Sequence, residues 1–186
     1  MKYTTLILTY LAYASLSFMR MSFPFVQYDL ALYLNTDEKY LGIITTICQI
    51  LIGIGFFIKI FFPYKKLVNS LFWQSNLLSL FLISIPVSIY LNIKSTIVVA
   101  IFFALFGIFQ AGIPTIVITL VKKKFTTHQD GCILGFWASS ADIGSIIGLM
   151  ICTIIVYYIN GNWKLCLVVS SLLNVVINIF FKCCLD

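Results

Sequence analysis

Apolar residues in this chain come in six long runs, each closed by a short polar link. The runs cover residues 4–27, 41–62, 67–91, 96–121, 131–158 and 163–181. A helix rises about 1.5 Å per residue, so about 20 apolar residues cross the ~30 Å hydrocarbon core of a bilayer. The runs are of that order, and the first keeps a helical pattern as far as Leu34. The first run also has no small-residue cleavage site, so it is expected to remain as a helix. The links are residues 35–39, 63–66, 92–95, 122–130 and 159–162, with no room for a soluble domain between them. The expected fold is all-α: one domain over residues 1–186, a polytopic bundle of six transmembrane helices.

Composition agrees with the pattern. Of 186 residues 61% are hydrophobic and 10% are charged, with a mean hydropathy of +1.06; soluble domains run at about 45–50% apolar and 25% charged. The net charge of +6 would point to nucleic acid in a soluble protein. Here the lysines flank apolar runs, where they set orientation instead, and no nucleic-acid partner is expected. With alternate links on opposite sides, Lys2, Lys59, Lys65, Lys66, Lys122, Lys123, Lys124 and Lys182 fall together, against Lys39, Lys94 and Lys164. The positive-inside rule then puts both termini in the cytosol and turns Asp37, Glu38 and the turn of Asn160, Gly161 and Asn162 outward. Endoplasmic reticulum, another organelle and plasma membrane all fit. Tyr3, Tyr40, Tyr90, Tyr157, Tyr158 and Trp163, near run ends, read as an interfacial aromatic belt. The lysines at 122–124 read as a topology anchor, or as contacts to anionic lipid.

Within the runs the residue that asks for an explanation is Arg20. A guanidinium at bilayer depth costs roughly 3 kcal/mol on insertion scales, so it needs an anion, a carboxylate or water. Asp142 is the second ionisable group at depth, eleven residues or about 17 Å into its run from Gly131. Two readings stay open. Arg20 holds a phosphate or carboxylate substrate in a water-filled cavity, the task for which the guanidinium fork is preferred, or it forms an internal ion pair with Asp142. Gln49, Gln74, Asn76, Gln110, Asn174 and Asn178 are the other polar groups inside the runs. Gln110 is expected to bond between helices, as are Asn174 and Asn178, which share a face at i and i+4. The fifth run carries Gly131, Gly135, Ser139 and Asp142 on one face and then Gly144 and Gly148 as a GxxxG, which permits close helix approach. Arg20 precedes Pro24 by four residues and Gln110 precedes Pro114 by four. Matched polar and helix-breaking positions in the first and fourth runs fit a build of two inverted three-helix repeats.

Enzymatic chemistry finds no footing in the motifs. His128, the only histidine, lies in a link with no carboxylate or thiol partner by spacing, and no nucleophile elbow, zinc motif or phosphate loop occurs. No cofactor and no metal are expected. Cys48, Cys132, Cys152, Cys166, Cys183 and Cys184 have no metal-ligand spacing. The adjacent Cys183 and Cys184 are read as packing residues or as acylation sites.

Taken together, several stretches resemble the N-terminal half of a major facilitator superfamily transporter. The nearer likeness is to the organophosphate:phosphate antiporters, which include the glycerol-3-phosphate, hexose-phosphate and glucose-6-phosphate exchangers. The matching residues are Tyr13, Ala14 and Ser15 followed by Arg20; Leu41 and Gly42; the stretch from Gly107 through Gln110 to Pro114; Gly135, Phe136 and Trp137; Asp142, Ile143 and Gly144; and Trp163. The resemblance implies half of a major facilitator fold with exchange by alternating access, Arg20 on the substrate phosphate, and Gln110, Trp137 and Asp142 as further substrate-binding residues. It also implies partners: an anionic small molecule, the bilayer, and a second six-helix half or a second copy. The chain departs from the pattern at Met21, Phe56 and Ala141, where basic residues are usual, at Asp142, where Asn is usual, and over residues 62–66. The family's transporters have twelve helices against six here. Two functions follow as expectations. One is a half-size transporter of a phosphorylated metabolite. The alternative is a transport-incompetent relative or structural subunit of a membrane assembly.

Overall fold

A computed structural model describes residues 2–61, 67–125, 130–159 and 162–185. Residues 63–66, His128, Asn160 and Gly161, singled out above, lie outside the described residues. The described residues form seven helices: α1 (Lys2–Leu34), α2 (Glu38–Phe61), α3 (Leu67–Tyr90), α4 (Thr96–Gln110), α5 (Ile113–Lys124), α6 (Asp130–Tyr158) and α7 (Lys164–Leu185). Among the described residues six stretches are long and apolar enough to cross a membrane, with α4 and α5 together forming the fourth. That is the architecture of a multi-pass membrane protein.

Two helix ends close to where the sequence pattern puts them, and one break it does not show, each have a local reason. The first helix runs unbroken to Leu34 although Pro24 lies inside it. It stops because Asn35 turns left-handed at φ 52°, and the Thr36 amide closes back on the Ala31 carbonyl at 3.1 Å. Asparagine accepts that conformation more readily than most residues, and the amide bond satisfies an orphan helix carbonyl. α3 ends the same way, with Asn92 at φ 59° and the Ile93 amide on Ser88 O at 3.0 Å. The fourth span is broken between Gln110 and Ile113. Pro114 there has no N–H for the Gln110 carbonyl, and its ring crowds that oxygen.

Helix pairing follows the small residues. Gly144 and Gly148 of α6 press against Ala14 and Phe18 of α1, so closely that any side chain at Gly144 would meet the Ala14 backbone. The GxxxG therefore serves helix packing within the chain. On the other side α2 lies along α4: a Cβ at Gly107 would stand 2.8 Å from Cys48 O, and one at Gly55 would stand 2.5 Å from the Ala111 Cβ. α7 packs on α3 and α1, and α3 also packs on α4. Leu16, Met19, Phe23, Leu78, Leu82, Phe103 and Phe106 fill the middle, with the Phe23 and Phe103 rings stacked at 3.8 Å. α2 and α6 are the least covered spans. Their outward stripes of Ile43, Ile47, Ile50 and Ile54, and of Ile143, Ile146, Met150 and Ile154, are exposed, as suits helices facing hydrocarbon.

Candidate functional site

Arg20 stands near the middle of α1, and the unbroken helix is what puts it there. It is 18 residues from Lys2 and 14 from Leu34, or about 27 Å and 21 Å along the axis. Pro24, four residues on, offers no N–H to the Arg20 carbonyl. The side chain is half-buried. Among the described residues it makes no ion pair and no side-chain hydrogen bond.

Helix register separates Arg20 from Asp142. α1 and α6 run in the same direction, with Ala14 against Gly144 and Phe18 against Gly148. In that register Arg20 is level with Met150, and Asp142 is level with Ala12. The eight residues between correspond to about 12 Å along the axis. Asp142 is exposed and, like Arg20, forms no ion pair among the described residues. The internal ion pair is therefore not formed.

Gln110 comes nearer. α1 runs antiparallel to the fourth span, as fixed by Phe23 on Phe103 at 3.8 Å and Tyr3 on Phe125 at 6.1 Å. Gln110 then falls about one helical turn, or ~5 Å, from the level of Arg20. It is 5% exposed, and its Oε1 is buried with no hydrogen-bond partner among the described residues. The interhelical bond expected of it is not made. Trp137 lies well below Arg20, its ring 4.8 Å from that of Tyr13, and its buried Nε1 is also without a partner. The structure thus brings Arg20 and Gln110 to neighbouring levels and sets Asp142 and Trp137 apart from them.

A second set of polar groups centres on Asn174, whose amide is bonded at both ends, and was only half legible. Asn174 of α7 accepts from Ser15 Oγ of α1 at 2.9 Å, and donates to Ser75 O at 3.0 Å and Ser79 Oγ at 2.8 Å on α3. One amide therefore ties three spans together, as expected of it. Asn178 instead donates to Asn174 O in its own helix at 2.8 Å, and its Oδ1 has no partner among the described residues. Ser170 adds a bond from α7 to Ser22 of α1 at 3.1 Å. The serines were missed because a short hydroxyl can always bond its own helix, and most here do so as well. The spacing of Ser15 with Ser22 and of Ser75 with Ser79 was the available signal.

No family model, curated protein or solved structure matches this chain. What the arrangement offers chemically must be read from the side chains themselves. Cavities of about 160 to 400 Å³ along the bundle are lined mainly by apolar residues, such as Ile43 and Ala100 in one and Phe18 and Ile151 in another. Arg20 stands at a half-exposed face of the six-helix unit rather than inside a closed chamber. Among the described residues no three His, Cys, Asp or Glu side chains gather as a metal site would require.

Proposed function

We propose that this chain is one half of a major facilitator type transporter that exchanges a phosphorylated metabolite for phosphate, with Arg20 as the anion clamp. The observation that carries the reading is Arg20 itself: a permanent positive charge at mid-helix with no ion pair among the described residues. An uncompensated guanidinium at that depth is expensive unless something anionic or aqueous meets it. Its planar fork of donors suits the paired oxygens of a phosphate better than an ammonium would. Gln110 Oε1, unbonded among the described residues and at a level about one turn from Arg20 along the axis, is an acceptor for a hydroxyl of the organic moiety in this reading.

Two inverted repeats are supported by the helix pairing. Exchange the first three spans for the last three, and the α1–α6 seam becomes the seam of α4 with α2; the α1–α7 packing becomes that of α4 with α3. The prolines at 24 and 114 exchange as well, each depriving the carbonyl four residues earlier of its donor. Both termini are cytosolic in this reading. A second six-helix half closes the face that carries Arg20, and rocking of the halves exposes the bound anion to each side in turn.

The test is counterflow. The tagged protein, purified with whatever it pairs with and placed in vesicles loaded with labelled phosphate, exchanges it for external sugar phosphate, and Arg20→Lys lowers exchange at least tenfold without moving the melting temperature. Exchange that survives Arg20→Lys overturns the clamp. A wild-type assembly that is folded yet blind to phosphate points to the structural-subunit alternative.

A further inference from the structure

The outward end of the bundle gathers charge and apolar surface in an arrangement that the transport reading does not use. Lys94 ends the α3–α4 link and Lys164 opens α7. Their ammonium groups stand over one ring, Tyr33, at 5.3 Å and 5.0 Å from its centroid. Lys164 also lies 5.1 Å from the Tyr90 centroid and 5.8 Å from that of Trp163. Tyr33 is pinned in turn by its hydroxyl, which donates to Ile89 O at 3.3 Å. Both ammonium groups are within cation–π range of that ring. Among the described residues neither lysine has an ion pair. Asp29, one turn before Tyr33 on α1, Asp37 in the α1–α2 link and Glu38 at the start of α2 lie towards this end, and among the described residues none of them pairs with either lysine.

Below Lys94 the outer half of α4 is flanked by two apolar grooves. One, of about 400 Å³, lies between α2 and α4 and is lined by Thr36, Tyr40, Ile43, Ile44, Ile97 and Ala100. The other, of about 300 Å³, lies between α3 and α4 and includes Val87, Leu91, Val98 and Phe102. Thr36, in the first groove, keeps a buried Oγ1 with no partner among the described residues.

We propose that this end of the bundle binds one diacyl phospholipid with a net-anionic headgroup, its phosphate on Lys94 and Lys164 and its two acyl chains in the grooves on either side of α4. Three independent features converge on that ligand. Two ammonium groups without an ion pair among the described residues gather around Tyr33. The tyrosine and tryptophan rings mark the headgroup level of a membrane. The grooves descend from that level on both sides of the helix that Lys94 precedes, and a two-tailed molecule is what occupies two grooves at once. Thr36 Oγ1 supplies a donor for an ester carbonyl at the top of the first groove.

Native mass spectrometry of the purified protein, equilibrated with equal phosphatidylglycerol and phosphatidylcholine, tests the site. The wild type retains phosphatidylglycerol about tenfold over phosphatidylcholine. Lys94→Gln with Lys164→Gln removes the preference, and Lys94→Arg with Lys164→Arg keeps it. Ala100→Phe, which fills the first groove, lowers retention of both lipids. Equal retention by the wild type, or a preference unchanged in the double Gln variant, overturns the proposal. So does displacement of the lipid by millimolar glycerol phosphate, which would mark a site for free phosphate. Arg20→Lys leaves lipid retention unchanged, so failure here and failure of the transport reading are separable.

Discussion

Two polar regions cross the middle of this bundle, and they are built on opposite plans. Around Asn174 every contact is closed: Ser15, Ser75 and Ser79 take up the amide, and three spans are held in one register. Around Arg20 nothing is closed: the guanidinium has no partner among the described residues, Asp142 is out of reach, and Gln110 Oε1 is buried and unbonded. In hydrocarbon a polar group that is satisfied within the chain acts as scaffold, whereas one left open needs something from outside. The contrast separates structural polarity from the candidate site where residue type alone could not.

The comparison can be broken in several places. The largest expected effect on the scaffold comes from Gly144→Val, whose side chain has only the Ala14 backbone to meet. We expect a loss of about 3 kcal/mol or more, read by unfolding in mixed micelles; a mild effect would mean that α1 and α6 are not held in this register. Asn174→Leu removes three interhelical hydrogen bonds. At about 0.6 kcal/mol each in measured membrane proteins, the sum is about 2 kcal/mol, and a double-mutant cycle with Ser15→Ala should show coupling between them. The smallest effect is expected at Asp142→Asn. With no ion pair to break, the melting temperature stays within error of the wild type. A drop corresponding to about 3 kcal/mol would restore the internal pair with Arg20.

Much of the fold could be read from the sequence because bilayer thickness imposes one length on every span. The six runs emerge as helical spans, the links expected at residues 35–39 and 92–95 fall close to the described turns, and the GxxxG pair makes the close approach its spacing permits. The break after Gln110 was not read as one, although Pro114 was singled out. A proline inside an apolar run is compatible with a continuous helix, as Pro24 in α1 shows, or with an interruption, and tertiary packing decides between them. The relation of Arg20 to Asp142 was illegible for a different reason. Each depth can be counted along its own helix, but the offset between helices is set by Gly144 and Gly148 seating on Ala14 and Phe18. Sequence periodicity carries no record of that offset. The closure around Asn174 was visible in the asparagine and hidden in its serine partners.

Direct binding of labelled inorganic phosphate by the assembly in nanodiscs, for the wild type, Asp142→Asn and Arg20→Lys side by side, tests the central claim most directly. The account predicts saturable binding by the wild type, binding retained by Asp142→Asn, and loss of at least tenfold in affinity for a folded Arg20→Lys. Equal binding by all three, or none by a folded wild-type assembly, would contradict it and leave Arg20 without the role given to it here.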